Sequence, residues 1–92
     1  MLGDAELKQL IGPILRKQLA RSGFESFDLE TGEDHDGDPA LFIIAHFGAS
    51  REIDASAVIE STSRIRERLR EKGDPRLPYL RFGAQLRRET VN

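Results

Sequence analysis

The chain has 92 residues, enough for one modest hydrophobic core and too few for two, so it reads as a single domain. With 38% hydrophobic and 33% charged residues it has the balance of a charge-rich soluble protein, and the absence of cysteine excludes a disulfide framework, a thiolate nucleophile and thiolate-held metal clusters. The net charge of −2 conceals an asymmetry: residues 1–50 carry four Lys and Arg against nine Asp and Glu, and residues 51–92 carry ten against seven. Such a division can be neutralised within the fold, between two copies, or against nucleic acid.

In chain order, the first periodic segment spans residues 4–21. Leu7, Leu10, Ile11, Ile14, Leu15 and Leu19 recur at the spacing of one helical face, Asp4 is placed to cap the start, and Gly23 suits the left-handed position beyond the end. Gly12-Pro13 interrupts the pattern, which leaves either one kinked helix or two short ones. Residues 24–33 alternate Phe27, Leu29 and Thr31 with Ser26, Asp28 and Glu30, the pattern of an edge strand with one wet side. Residues 40–47, A-L-F-I-I-A-H-F, are apolar on both faces and form a second strand. This is also the longest apolar stretch, far too short to span a bilayer, and the start M-L-G-D-A-E lacks a signal peptide's basic region. The expectation is a cytoplasmic protein without a membrane segment.

The second helix opens at Ile53-Asp54, with Asp54 as cap, Ile53 placed to staple against Val58, and a buried stripe of Val58, Ile59, Thr62, Ile65 and Leu69. Gly73 and then Asp74-Pro75 end it. Residues 79–83 read as a short edge strand, residues 1–83 as the domain, and residues 84–92 as a polar tail. The predicted fold is α+β, in the order helix, strand, strand, helix and short strand, with the helices packed on one face of a small antiparallel sheet.

The stretch E-D-H-D-G-D-P, residues 33–39, gathers four acids and a histidine as a metal loop does. It fails as an EF-hand in both registers: with Gly37 at the glycine position the first ligand is Gly32 and the twelfth is Ile43, and with Asp34 first the glycine position is Pro39. Asp36-Gly37 instead suits a two-residue type I′ hairpin turn. That register pairs His35 with Asp38 and sets His46 opposite Phe27, so the two histidines do not share an ion, and His46 reads as a half-buried residue with one hydrogen-bond partner. No G-x-S-x-G and neither phosphate-loop pattern occurs, and no serine is placed beside a histidine. The sequence therefore implies no catalytic, cofactor or metal residues. The basic run from Arg64 to Lys72 places Arg64, Arg66, Arg68 and Arg70 on the second helix, a candidate phosphate-gripping set that Glu60, Glu67 and Glu71 are also spaced to pair.

The element order resembles the layout of type II KH domains and BolA-like proteins, although the G-x-x-G loop and the R-H-R signature are missing. Asp34 to Asp38, Leu41 to Phe47, Ile53-Asp54 and Asp74 to Phe82 together resemble small uncharacterised bacterial α+β proteins with a D-x-D-G-D hairpin and a D-P-R-x-P tail, a resemblance that implies no activity. The expected function is a non-catalytic interaction domain, for self-association or a partner protein. Its interface would be whichever face of the second strand the helices leave free, Phe42, Ile44 and His46 or Leu41, Ile43 and Phe47, with the first set taken as the candidate; the alternative is a nucleic-acid-binding module using the four arginines.

Overall fold

The computed structural model describes residues 1–48 and 53–82. In order, the elements are α1 (Asp4–Leu19), a 3-10 turn (Ala20–Ser22), β1 (Phe24–Glu33), β2 (Pro39–Phe47), α2 (Ala55–Glu71) and β3 (Leu77–Phe82). The predicted tail, residues 84–92, and Gly83 lie outside the described residues.

Leu7, Ile11, Leu15 and Leu19 follow one another at steps of four and form the buried stripe of α1, which is one continuous helix with Pro13 inside it on the exposed side. Gly12 is buried, where α1 faces the Phe27 ring of β1. The N-cap is Gly3 rather than Asp4, with the Glu6 carboxylate accepting from the Gly3 amide at 3.0 Å. Gly23 takes the left-handed conformation expected of it, at φ 87°.

Asp54 caps α2 as predicted, its Oδ1 accepting from the Ser56 amide at 2.9 Å. The buried stripe is Ser61, Ile65 and Leu69, flanked by half-buried Ala57, Val58 and Thr62, whereas Ile59 is 68% exposed. A four-residue row through Ala57, Ser61, Ile65 and Leu69 leaves Ile59 about 200° from Ser61, on the opposite side. Ser61 fits inside because its hydroxyl donates to the Ala57 carbonyl at 2.7 Å. At the far end the Gly73 amide donates to the Arg70 carbonyl and the Asp74 amide to the Leu69 carbonyl, the paired bonds of a Schellman cap with Gly73 at φ 78°.

The three strands form one sheet in the order β1-β2-β3. β1 and β2 are antiparallel, but β2 and β3 are parallel, so the sheet is mixed rather than antiparallel. The reason is the connection: α2 carries the chain from the end of β2 back to the end at which β2 began, and a strand entered after such a crossover runs parallel to its neighbour. β3 also begins two residues earlier than expected, at Leu77, and admits Pro78 because it lies at an edge.

The hairpin register differs from the expected one by one residue. Phe27 lies opposite Ala45, Leu29 opposite Ile43 and Thr31 opposite Leu41, and His46 lies opposite Ser26 rather than Phe27. A one-residue slip reverses which side chains share a face, and the observed register is the one that puts Phe27 and Leu29 with Leu41 and Ile43. A bulge between Phe24 and Ser26 then turns Phe24 towards Phe27 and Phe47, with ring centroids 6.4 and 6.1 Å apart. The core unites Leu7, Ile11, Leu15 and Leu19 of α1 with Ile65 and Leu69 of α2 and Leu41 and Ile43 of β2. α1 packs against β1, α2 against β3, and the helices against each other. Among the described residues, no helix is long and apolar enough to cross a membrane.

Candidate functional site

Because β2 is the central strand, its alternate residues meet different surroundings. Leu41, Ile43 and Ala45 are wholly buried, while Phe42, Ile44 and His46 are only half-buried. Register extends the second set into three rows across the sheet: Glu30, Phe42 and Tyr79; Asp28, Ile44 and Arg81; Ser26 and His46. The β1 column of this outer face is thus acidic, the centre apolar, and the β3 column carries a tyrosine and an arginine.

Within it, the Phe42 ring stacks on Tyr79 with centroids 5.6 Å apart, and the Arg81 guanidinium lies 4.6 Å from the Phe42 centroid, over the ring. His46 Nε2 is 2.8 Å from Asp28 Oδ2, which gives the histidine the single partner expected of it. Beyond the row, the Tyr79 hydroxyl donates to Asp34 Oδ2 at 2.9 Å and ties β3 to the hairpin tip. That bond raises the tyrosine's pKa above its ordinary value.

The tip is a turn, though of another type than expected. Only Gly37 has a positive φ, 85°, and no non-glycine residue does among those described, so Asp36 is not in the conformation a type I′ turn requires. The Gly37 amide donates to the Asp34 carbonyl and the Asp34 amide to the Asp38 carbonyl, each at 2.9 Å, which encloses a three-residue loop ending in a left-handed glycine. Asp34 Oδ1 accepts from the Asp36 and Asp38 amides at 2.9 and 3.0 Å. The Asp38 amide, followed by the Tyr79 hydroxyl and the Asp36 amide, holds the Asp34 carboxyl below the usual carboxylate range despite some desolvation. Oxygens of Asp34, Asp36 and Asp38 lie within 4.8 Å of one another, but those of Asp34 already serve the turn and Tyr79.

Of the four α2 arginines, Arg64 pairs with Glu60 at 2.9 Å and Arg68 with Glu71 at 3.3 Å. Arg66 and Arg70 are exposed and have no carboxylate partner among the described residues. Two surface grooves accompany the helices, one of about 250 Å³ lined by Leu2, Glu6, Leu10 and Arg68, the other of about 490 Å³ lined by Lys17, Arg21, Ser56 and Glu60. Neither holds a histidine, and among the described hydrogen bonds neither histidine meets a serine or threonine.

One polar cluster escaped the sequence reading. The Asp74 side chain is wholly buried and receives Arg76 Nη2 at 2.6 Å, Arg76 Nε at 3.0 Å, the Arg76 amide at 3.1 Å and the Leu2 amide at 3.1 Å. Arg76 Nη2 also donates to the Leu2 carbonyl at 2.9 Å. The Arg76 guanidinium, aided by these amides, holds the Asp74 carboxyl far below the usual range against the opposing effect of burial, and Arg76 is raised in return. The cluster fastens the start of the chain to the entry of β3. The signal available was the D-P-R triplet directly after a helix cap, an acid and a base two residues apart on either side of a proline.

No family model, characterised protein or solved structure matches this chain. The outer sheet face and the arginine face are therefore judged on their own chemistry.

Proposed function

We propose that the chain is a non-catalytic interaction domain that docks a protein, a second copy of itself or another chain, on the outer face of its sheet at Phe42, Ile44 and His46. α1 packs on β1 and α2 on β3, and the core they share takes in Leu41 and Ile43 of β2 rather than Phe42 and Ile44. The observation that carries the reading is the contrast along β2: Leu41, Ile43 and Ala45 are fully buried, yet the alternating Phe42 and Ile44 remain half open to solvent at the centre of the sheet. An aromatic and a branched aliphatic residue ringed by charged and polar side chains is the composition of a docking patch, apolar within and polar at the rim. The cytoplasm, where a cysteine-free chain gains nothing from an oxidising environment, is the setting proposed for it.

Replacing Ile44 with lysine tests this. Self-association is measured by sedimentation velocity and capture of a protein partner from native lysate, for wild type and Ile44→Lys. Loss of whichever complex the wild type forms, with the helical spectrum unchanged, supports the reading. A wild type that forms neither complex, or a complex indifferent to the substitution, overturns it.

A second reading, nucleic-acid binding through α2, rests on Arg66 and Arg70, four residues apart and exposed. The pairing of Arg64 and Arg68 with glutamates halves the charge available to phosphates. Titration with RNA and DNA at low salt decides it, since a phosphate-gripping face must lose affinity steeply as salt rises.

A further inference from the structure

The charges on the outer sheet face divide by edge. Asp28 and Glu30 stand on β1, Arg81 stands on β3, and the apolar Phe42 and Ile44 lie between them on β2. We infer that the occupant of this face is a second copy of the chain, stacked sheet on sheet about a two-fold axis running along the strands, so that each Arg81 meets the partner's Asp28. The inference rests on the docking reading above and adds to it the partner and the orientation.

Two sheets stacked face to face with their strands aligned have two ways to meet about a two-fold axis. An axis lying across the strands sets β1 over β1 and places Asp28 and Glu30 over the same two acids of the other copy. An axis lying along the strands sets β1 over β3 and keeps each row at its own level. The row Asp28, Ile44, Arg81 then meets its own reverse, which gives two Asp28 to Arg81 pairs flanking an Ile44 to Ile44 contact. Like charges brought together in an interface are strongly unfavourable, and opposite ones fix its register, so the distribution selects the second arrangement. Aligned packing at the usual angle of about −30° leaves these levels in register near the axis.

The side chains are free to serve. Asp28 is 72% exposed and uses Oδ2 for His46, and Oδ1 has no partner among the described residues. Arg81 is exposed and held over the Phe42 ring, which orders its guanidinium while leaving its N–H edge available. The acidic column of one copy is thus complementary to the cationic edge of the other, without any further component.

Sedimentation equilibrium on the full chain tests this with wild type, Arg81→Glu, Asp28→Arg, the double exchange and Ile44→Lys. The wild type is expected to dimerise, each single reversal to weaken the dimer by about tenfold or more, and the double exchange to restore it, because the pairs re-form with their signs swapped. A wild type that stays monomeric to the highest soluble concentration overturns the inference and leaves the docking face to its own test. A dimer abolished by Ile44→Lys but indifferent to the charge reversals, or tightened by Arg81→Glu, keeps the face and overturns the orientation. A dimer indifferent to all five chains' differences overturns both.

Discussion

The hairpin tip and the corner after α2 show that the density of acidic residues says little about where a carboxylate matters. The tip, residues 33–39, holds four acids, all partly or fully open to solvent, and its hydrogen bonds close locally apart from the one from Tyr79. The corner holds a single acid, Asp74, which is buried, bound by Arg76, and joined to Leu2 at the other end of the chain. Exposed charges are stabilised by water whether or not they meet a partner, whereas a charge removed from water persists only when its partners replace the solvent.

The sharpest way to expose this difference is to truncate one acid in each place. Asp74→Ala leaves the largely buried guanidinium of Arg76 without its counterion and should lower stability by about 3 kcal/mol, the lower end for a buried pair. Asp36→Ala at the tip should change it by no more than about 0.5 kcal/mol, as at an ordinary surface position. Urea denaturation of both variants measures the contrast. The same carboxylate governs the acid limb of stability. The Asp74 pKa is depressed in the folded chain, so the unfolded chain binds the proton more readily; the stabilisation is complete above the ordinary carboxylate pKa of about 3.9 and drains away as pH falls through the folded value. Asp74→Asn should flatten that limb, read from denaturation midpoints between neutral pH and the acid transition.

Much of the fold was legible because its signals are local. The four-residue row of α1, the Asp54 cap, the glycines at positions 23, 37 and 73 and the two apolar sides of β2 each depend on residues close together in the chain. The features that escaped depend on distant pairings. The parallel β2 and β3 pairing follows from where α2 delivers the chain, and the burial of Ser61 in place of Ile59 follows from which side of α2 meets α1 and the sheet. The hairpin register was not legible in the pattern, because β2 is apolar on both faces and either register sets Phe27 and Leu29 beside apolar residues; the shared core with the helices puts them with Leu41 and Ile43. At the outer face, alternation separates Phe42, Ile44 and His46 from Leu41, Ile43 and Phe47 but does not say which set the helices cover, and Tyr79 and Arg81 join the first set only through the unexpected parallel strand.

Within the tip, backbone conformation should outweigh charge. Gly37 has φ 85°, and a Cβ added there would meet nothing within 4 Å, so replacing it tests the left-handed conformation without a steric clash. Gly37→Ala should lower stability by about 1–2 kcal/mol, less than Asp74→Ala and more than Asp36→Ala. Gly37→Asn should recover part of the loss, because asparagine tolerates this conformation better than alanine does. Thermal denaturation of the pair makes the comparison.

The smallest expected effect comes from the side-chain hydrogen bond that, among the described residues, links the tip to β3. Tyr79→Phe removes the hydroxyl that donates to Asp34 and keeps the ring stacked on Phe42. The remaining donors to Asp34 are the amides of its own turn, so the tip should keep its shape and the chain should lose little stability. The carboxyl of Asp34 should nevertheless rise towards the ordinary range, which an NMR titration of its side-chain carbon resolves. The reciprocal effect appears in base: Tyr79 is raised in the folded chain, so its contact favours folding below the ordinary tyrosine pKa of about 10 and fades as pH climbs through the folded value. A wild-type chain whose tip amide shifts move together with the Tyr79 ring in that alkaline titration, set against a Tyr79→Phe chain whose tip is silent there, would show that the tip reports on the edge of the sheet. If the tip amides respond identically in both chains, the contact carries no such coupling and the tip is an isolated turn.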